Sequence, residues 1–251
     1  MTEIPCQSLD WDSEFFGRRI ARITTNRLRR ETLERVLAWC EARSIECAYF
    51  LASADDDTTV RLAEDHGFQL VDLRVTLERS LAGATGDGTP GEAMTTRLAR
   101  SDDVPVLRAI ARVNHRDTRF YHDANFPRER CDALYETWIE RSCGGYADAV
   151  WVCERARRPV GYVSCHRVGE RAGQIGLLGV DPAVHGAGVG RRLVAAALDW
   201  FADLGAERVS VVTQGRNVRG QRLYQRAGFV TASLELLYHR WFVTRDGGGG
   251  P

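Results

Sequence analysis

Apolar and polar positions along this chain fall into blocks, and the blocks switch between two periods. IARITT (20–25), ECAYFLAS (46–53), FQLVDLRVTLER (68–79), AVWVCER (149–155), VGYVSCHRV (160–168), the stretch 174–180, ERVSVVT (207–213) and the stretch 229–243 alternate or run apolar over a few residues. These stretches predict strands, because successive side chains of an extended chain point to opposite faces. Between them the period lengthens. ETLERVLAWCEAR (31–43) puts Leu33, Val36, Leu37 and Cys40 on one helical face, and DTTVRLAEDHG (57–67) reads as a short helix with Asp57 as N-cap and Gly67 at its end. Ser101 is placed to cap a helix carrying Val104, Leu107, Ile110 and Ala111. Pro127 opens another, with Cys131, Leu134, Tyr135, Trp138 and Ile139 on one side. A helix after residue 190 buries Leu193, Val194, Ala197, Leu198 and Phe201 and stops at Gly205, and RNVRGQRLYQRAG (216–228) forms the last. The class predicted is α/β, an α+β arrangement around a mixed sheet.

One break in composition divides the chain. SLAGATGDGTPGEA (80–93) reads as a linker between a segment 1–79 and a segment 94–243, and residues 244–251 read as a disordered tail. HGFQLVDLRVTLER (66–79) lines up with AGFVTASLELLYHR (227–240), each a helix end, Gly-Phe and an alternating strand. Duplication with decay of the first copy explains the match. The 34 basic and 34 acidic residues balance, which argues against a general nucleic-acid binder. Every basic residue is Arg, so neither a Schiff-base lysine nor a Walker lysine is present. The seven Cys form no CxxC pair and read as reduced packing thiols, with no metal site. The chain shows no 18-residue apolar run and no signal-peptide pattern, so a cytoplasmic protein that does not enter the membrane is expected.

The richest stretch is QIGLLGVDPAVHGAGVGRRLVAAAL (174–198). Its apolar run leads through Pro182 into HGAGVG, with Gly186, Gly188 and Gly190 at alternate positions before a helix. Glycines there let the backbone curl into a bowl of N–H groups at a helix N-terminus, a natural seat for phosphate. A P-loop needs Lys where this chain has Arg191. A Rossmann fingerprint belongs after the first strand of a repeated βαβ array, and this loop lies late in the chain.

Read as His185-x-x-Gly188-x-Gly190, the loop resembles the pyrophosphate loop of the GNAT N-acetyltransferase superfamily, with His where Gln or Arg is usual. NVRGQRLYQRAGF (217–229) adds a second landmark: Asn217 and Tyr224 lie two turns apart on one helical face, before Gly228-Phe229. With these two motifs at the proper separation, residues 94–243 resemble a complete GNAT domain, following a truncated GNAT-like segment. LDWDSEFFGRRIARIT, TRFYHDANFPRERCDALYETWIE, GYVSCHRV, IGLLG and TQGRN…LYQRAG together are most similar to the dTDP-fucosamine (dTDP-4-amino-4,6-dideoxygalactose) acetyltransferase group.

That resemblance implies an acetyl-CoA-dependent N-acetyltransferase acting on a small primary amine, most naturally a nucleotide-linked amino sugar. Another small amine (an antibiotic, a polyamine or a peptide N-terminus) or a non-catalytic acyl-CoA-binding module are the alternatives, and a homodimer is expected. His185, Gly186, Ala187, Gly188, Val189, Gly190 and Arg191 would hold the pyrophosphate. Leu178, Gly179 and Val180 would pair with the pantetheine arm and polarise the thioester carbonyl, and Asn217 would bond the same arm. Tyr224 matches the family tyrosine that faces the CoA sulfur. Asp72 aligns with a family carboxylate thought to accept the amine proton, with Asp in place of Glu, and His166 is the rival base. Arg119, Phe120 and Tyr121 fall where the family binds acceptors.

Overall fold

The computed structural model describes residues 4–82 and 94–242. The linker expected over 80–93 is therefore described only to residue 82, and the expected tail 244–251 lies outside the described residues. In chain order the elements are β1 (Cys6–Ser8), α1 (Asp10–Phe16), β2 (Ile20–Ile23), α2 (Arg30–Ala42), β3 (Cys47–Ser53), α3 (Asp57–Asp65), β4 (Gln69–Ser80), β5 (Met94–Leu98), α4 (Val104–Asn114), α5 (Arg119–His122), α6 (Arg128–Arg141), β6 (Ala149–Arg155), β7 (Arg158–Val168), β8 (Ala172–Val180), α7 (Val189–Asp203), β9 (Arg208–Gln214), α8 (Val218–Arg226) and β10 (Val230–Trp241). The mixed α/β class read from the alternation is the class observed.

Two compact units form, and they do not follow chain order. The first takes described residues 4–74, 122–127 and 234–242; the second takes 75–82, 94–121 and 128–233. Each therefore incorporates residues that the sequence reading put on opposite sides of the 80–93 stretch.

In the first unit β1 pairs antiparallel with β2, β2 parallel with β3, and β3 antiparallel with β10, in the register Glu235↔Ser53 to Trp241↔Cys47. The parallel pair β2–β3 needs a crossover, which α2 supplies. The predicted face of α2 does the burying: Leu33, Val36 and Cys40 join Ala48, Phe50, Ala52, Phe68 and Tyr238 in one core. Asp56, not Asp57, caps α3, its carboxylate accepting the Thr59 N–H at 3.2 Å. The cap must precede the first helical residue, and Asp57 is already inside the helix.

In the second unit β5, β6, β7 and β8 form an antiparallel meander, and β8 then pairs parallel with β9 across the α7 crossover. Ala156 and Arg157 turn β6 into β7 with φ of 50° and 63°, the two positive values a tight hairpin turn demands. Leu193, Val194, Ala197, Leu198 and Phe201 of α7 pack on Val163, Cys165, Ile175, Val209 and Val211 of the sheet, as the helical period predicts. Ser101 does not cap α4. It opens a 3-10 turn, and Asp103 stands at the α4 boundary, gripped by Arg97 at 2.7 and 2.9 Å. A buried, doubly bonded carboxylate sets this corner more firmly than an exposed serine can.

Candidate active site

The glycine loop builds a cradle at the start of α7. Asp181 turns the chain, its carboxylate accepting the Ala183 N–H at 2.9 Å. Gly186 and Gly188 then take φ of +85° and +83°, Gly188 as the helix N-cap. A Cβ at either would meet nothing within 4 Å, so glycine is required there by backbone conformation and not by crowding. Gly190 differs: a Cβ there would lie 3.1 Å from Leu223, which marks close packing of α7 on α8. The first helical bond runs from Arg192 N–H to the Gly188 carbonyl, and no side chain caps the helix. The amides of Val189, Gly190 and Arg191 are thus left without carbonyl partners at the positive end of a 15-residue helix. His185 closes the loop. Arg219 donates to its Nδ1 at 2.8 Å, so its Nε2 carries the proton it gives to the Val180 carbonyl at 3.1 Å.

The strand leading into the cradle has an open edge. β8 pairs with β9 only from Ala172–Ile175 to Arg208–Val211 and then leaves it, although both strands continue. At the same point β8 bulges against β7, where the register shifts between Val163 and Cys165. Gly176 sits in the bulge because a Cβ there would fall 2.7 Å from both His166 Nε2 and Ser164 Oγ. Past the bulge, Leu177 N–H donates to Ser164 Oγ at 2.8 Å and Asp181 N–H to the Val160 carbonyl at 2.9 Å, both toward β7. Backbone groups alternate sides along a strand, so those of Leu178 and Val180 face the opened gap.

α8 begins where β9 ends. Asn217 is its N-cap: Oδ1 accepts the Gly220 N–H at 2.8 Å and Nδ2 donates to Thr213 Oγ1 at 3.0 Å. Two turns on, Tyr224 is 6% exposed, edge-on to Phe229 at 5.7 Å. Burial pushes its phenol above the ordinary tyrosine value.

The other predicted residues fall in different surroundings. His166 is half-buried on β7 beside the bulge, with Tyr146 edge-on at 5.5 Å, and burial lowers its pKa from the usual histidine value, against a smaller opposing pull from Asp148. Phe120 is 3% exposed and carries the Arg119 guanidinium over its ring at 4.4 Å, so packing occupies the face a ligand would need. Tyr121 donates to Asp132 at 2.5 Å. Asp72 is 3% exposed in β4 and accepts the Leu73 N–H at 2.8 Å; it is buried rather than a solvated edge carboxylate. It belongs to the first unit, whereas the cradle, the open edge, Tyr224 and His166 belong to the second. Residues not singled out from the sequence also line this region: Asn114, His115, Tyr162 and Ser164. They lie within apolar-patterned elements, and no spacing distinguishes them from ordinary helix-end and strand residues. No group of three metal-ligating side chains occurs among the described residues.

A parallel strand pair that parts beside a bulge, with a glycine cradle at the next helix, defines the class: this is a GNAT fold. Residues 109–229 match the model of the Acetyltransferase (GNAT) family, spanning the segment from α4 to the end of α8. The chain is 31% identical over 196 residues to the mycothiol acetyltransferase of Salinispora arenicola, covering 75% of this chain and 62% of that protein's length. It is 24% identical over 139 residues to the spore coat polysaccharide biosynthesis protein SpsD of Bacillus subtilis, covering 55% of this chain and 48% of that one. Among solved structures, a GCN5-related N-acetyltransferase from Sphaerobacter thermophilus superposes with a TM-score of 0.67 at 17% identity, over 94% of this chain and 76% of that one. No helix among the described residues is long and apolar enough to cross a membrane.

Proposed function

We propose that this protein moves the acetyl group of acetyl-CoA to the primary amine of a small molecule. The observation that carries the reading is the continuity of β8: one strand presents an open amide edge and then runs directly into a cradle of helix-start amides. A diphosphate fits the cradle, with Gly186, Gly188, Val189, Gly190 and Arg191 supplying N–H donors, the Ala187 N–H being bonded to the Val184 carbonyl, and with Arg191 adding its charge. The arm beyond the diphosphate would lie along the parted edge, where the Leu178 N–H polarises the thioester carbonyl. Such a preset donor is worth about 3–4 kcal/mol to the transition state.

The amine nitrogen bonds to the acetyl carbon as the carbon–sulfur bond breaks; the amine gives up its proton and the sulfur leaves as thiolate. His166 is the group in the second unit suited to take that proton, because burial keeps its ring neutral at pH 7. Asp72 remains the carboxylate that the family alignment proposes. Tyr224 hydrogen-bonds the departing sulfur. A phenol pushed upward by burial does not hand its proton over readily, so the bond stabilises charge more than it transfers a proton. Tyr224→Phe is expected to lower kcat by about tenfold to a hundredfold with acetyl-CoA affinity unchanged. Stopped-flow release of CoA thiol beside calorimetry checks it, and an equal loss of affinity would move Tyr224 to a binding role.

With His166 as base, the rate falls on the acid side of a pKa below the ordinary 6.5 and is flat above it, since only the neutral ring accepts a proton. His166→Asn removes that acid limb and costs about a hundredfold in kcat. A limb that survives the substitution hands the role to Asp72.

For the acceptor we infer a nucleotide-linked amino sugar. The relative named for polysaccharide biosynthesis supports this, and the family position of Arg119 and Tyr121 would put them by the acceptor, although each is engaged in packing here. The relatives named for mycothiol favour a second reading, an amine of mycothiol chemistry. Turnover of acetyl-CoA with a dTDP-4-amino-4,6-dideoxyhexose, compared with deacetylated mycothiol, decides between them. The reading carries with it a cytoplasmic location and a homodimer.

A further inference from the structure

The seven cysteines read from sequence as packing thiols, yet the fold brings two of them together in the first unit. Cys6 on β1 lies opposite Ile23 on β2, and directly paired residues of adjacent strands share a face. That face is the one α2 covers: Ile23 sits in the core with Leu33, Val36 and Cys40, and Cys6 packs against the same core. Cys40 is fully buried, whereas Cys6 is partly exposed. The two thiols meet there, Cys40 donating a hydrogen bond to the Cys6 sulfur. The Gln7 N–H gives that sulfur a second donor, and Arg43, seated over the Trp39 ring at 4.3 Å, adds positive charge. The bond from Cys40, with these two groups, outweighs burial and holds the Cys6 thiol below its usual value; the same bond, with burial, pushes Cys40 up.

A partly exposed sulfur that favours the thiolate, with a second thiol already in contact, is the arrangement of an oxidisable pair. We propose that Cys6 and Cys40 form a redox site for hydroperoxides, with Cys6 the attacking sulfur and Cys40 the resolving one. In the first step the Cys6 thiolate attacks a peroxide oxygen, the O–O bond breaks, and the leaving hydroxide takes a proton from solvent. The sulfur is oxidised to a sulfenic acid and the peroxide is reduced to water. The Cys40 sulfur then bonds to the Cys6 sulfur, the S–O bond breaks, and the released hydroxide takes the Cys40 proton and leaves as a second water. The disulfide formed ties β1 to α2. This site is independent of acetyl transfer, since it lies in the first unit and the glycine cradle in the second. Cys143 is the internal comparison: it too is partly exposed, but burial pushes its thiol up to about 11.

The test treats the full chain with an equimolar amount of hydrogen peroxide and follows its intact mass and the peptides released by non-reducing digestion. The native protein is expected to lose two hydrogens and to yield a Cys6–Cys40 crosslinked peptide that dithiothreitol reverses. Cys40→Ser is expected to stop at the sulfenic acid, which dimedone traps on Cys6; Cys40→Ala takes its place if serine in that core unfolds the chain. Cys6→Ser is expected to give neither crosslink nor dimedone adduct. On the reduced native protein, iodoacetamide is expected to modify Cys6 about tenfold faster than Cys143, or more. A crosslink through any other pair overturns the proposal, as does peroxide treatment that leaves Cys6 and Cys40 as free thiols or carries Cys6 to the sulfinic acid with no crosslink. Cys6 reacting no faster than Cys143 overturns it as well, because the sulfur then has no thiolate character to attack with.

Discussion

Gly188→Asp is expected to weaken acetyl-CoA binding about a hundredfold, roughly 2.7 kcal/mol, while the protein stays folded. The substitution leaves packing alone, because a Cβ at Gly188 has nothing within 4 Å. The φ of +83° strains most side chains, but Asp is among those that tolerate it. At the N-cap its carboxylate can accept from the amides of Gly190 or Arg191, the very donors offered to a diphosphate. The new cap therefore stabilises the helix and blocks the ligand in one step, by occupancy and by like charge. Thermal unfolding within a few degrees of the native protein, together with a large rise in calorimetric Kd, is the expected pair of results. A Kd within about threefold of native would mean the cradle does not hold the coenzyme.

Asp123→Ala carries the largest expected cost to stability, about 3–5 kcal/mol. Asp123 lies in the first unit with its side chain 5% exposed, and its Oδ2 accepts from His239 Nδ1 at 2.7 Å and Trp241 Nε1 at 2.8 Å. Its other oxygen takes the backbone and side-chain N–H of Asn125 at 3.0 and 2.9 Å. Burial alone would raise this carboxyl; the bonds from His239, Trp241 and Asn125 outweigh it and hold it at about 2. Its folded pKa is below the unfolded value, so its contribution is present above about pH 4 and lost as pH falls through about 2. The substitution strands the donors of His239 and Trp241 among Phe16, Tyr49 and Phe126. Urea unfolding at pH 7 should show the full loss, and the gap between native and variant should narrow at pH 3. Equal stability at pH 7 would show that the cluster contributes nothing net.

The glycine cradle and the α8 cap were readable because both depend on local backbone demands. Gly186 and Gly188 take positive φ, and Asn217 bonds an amide three residues on; each requirement leaves its mark within one turn of chain. The faces of α2, α6 and α7 were readable for the same reason, since a helical stripe is a local repeat. β1 was not: three residues hold no period, and β1 exists because it pairs with β2. α1 is seven residues without a side-chain cap, and β5 is MTTRL, an edge strand defined by β6. Family position alone places Phe120 at the acceptor site, and tertiary packing buries it, which no local pattern announces. Asn114 was illegible for a related reason. Its side chain donates to the carbonyl of Val180, far along the chain, and an asparagine at a helix end looks the same whether it meets water or a strand.

β10 is synthesised some 180 residues after β3, yet its residues 235–241 pair with β3 within the first unit. Until they emerge from the ribosome, one edge of β3, residues 47–53, has no strand to meet, and Tyr238 is missing from the core it shares with Phe50. The N-terminal part of the chain therefore cannot finish folding vectorially as it is translated; it must keep a bare strand edge, open to wrong partners, through the making of some 180 further residues.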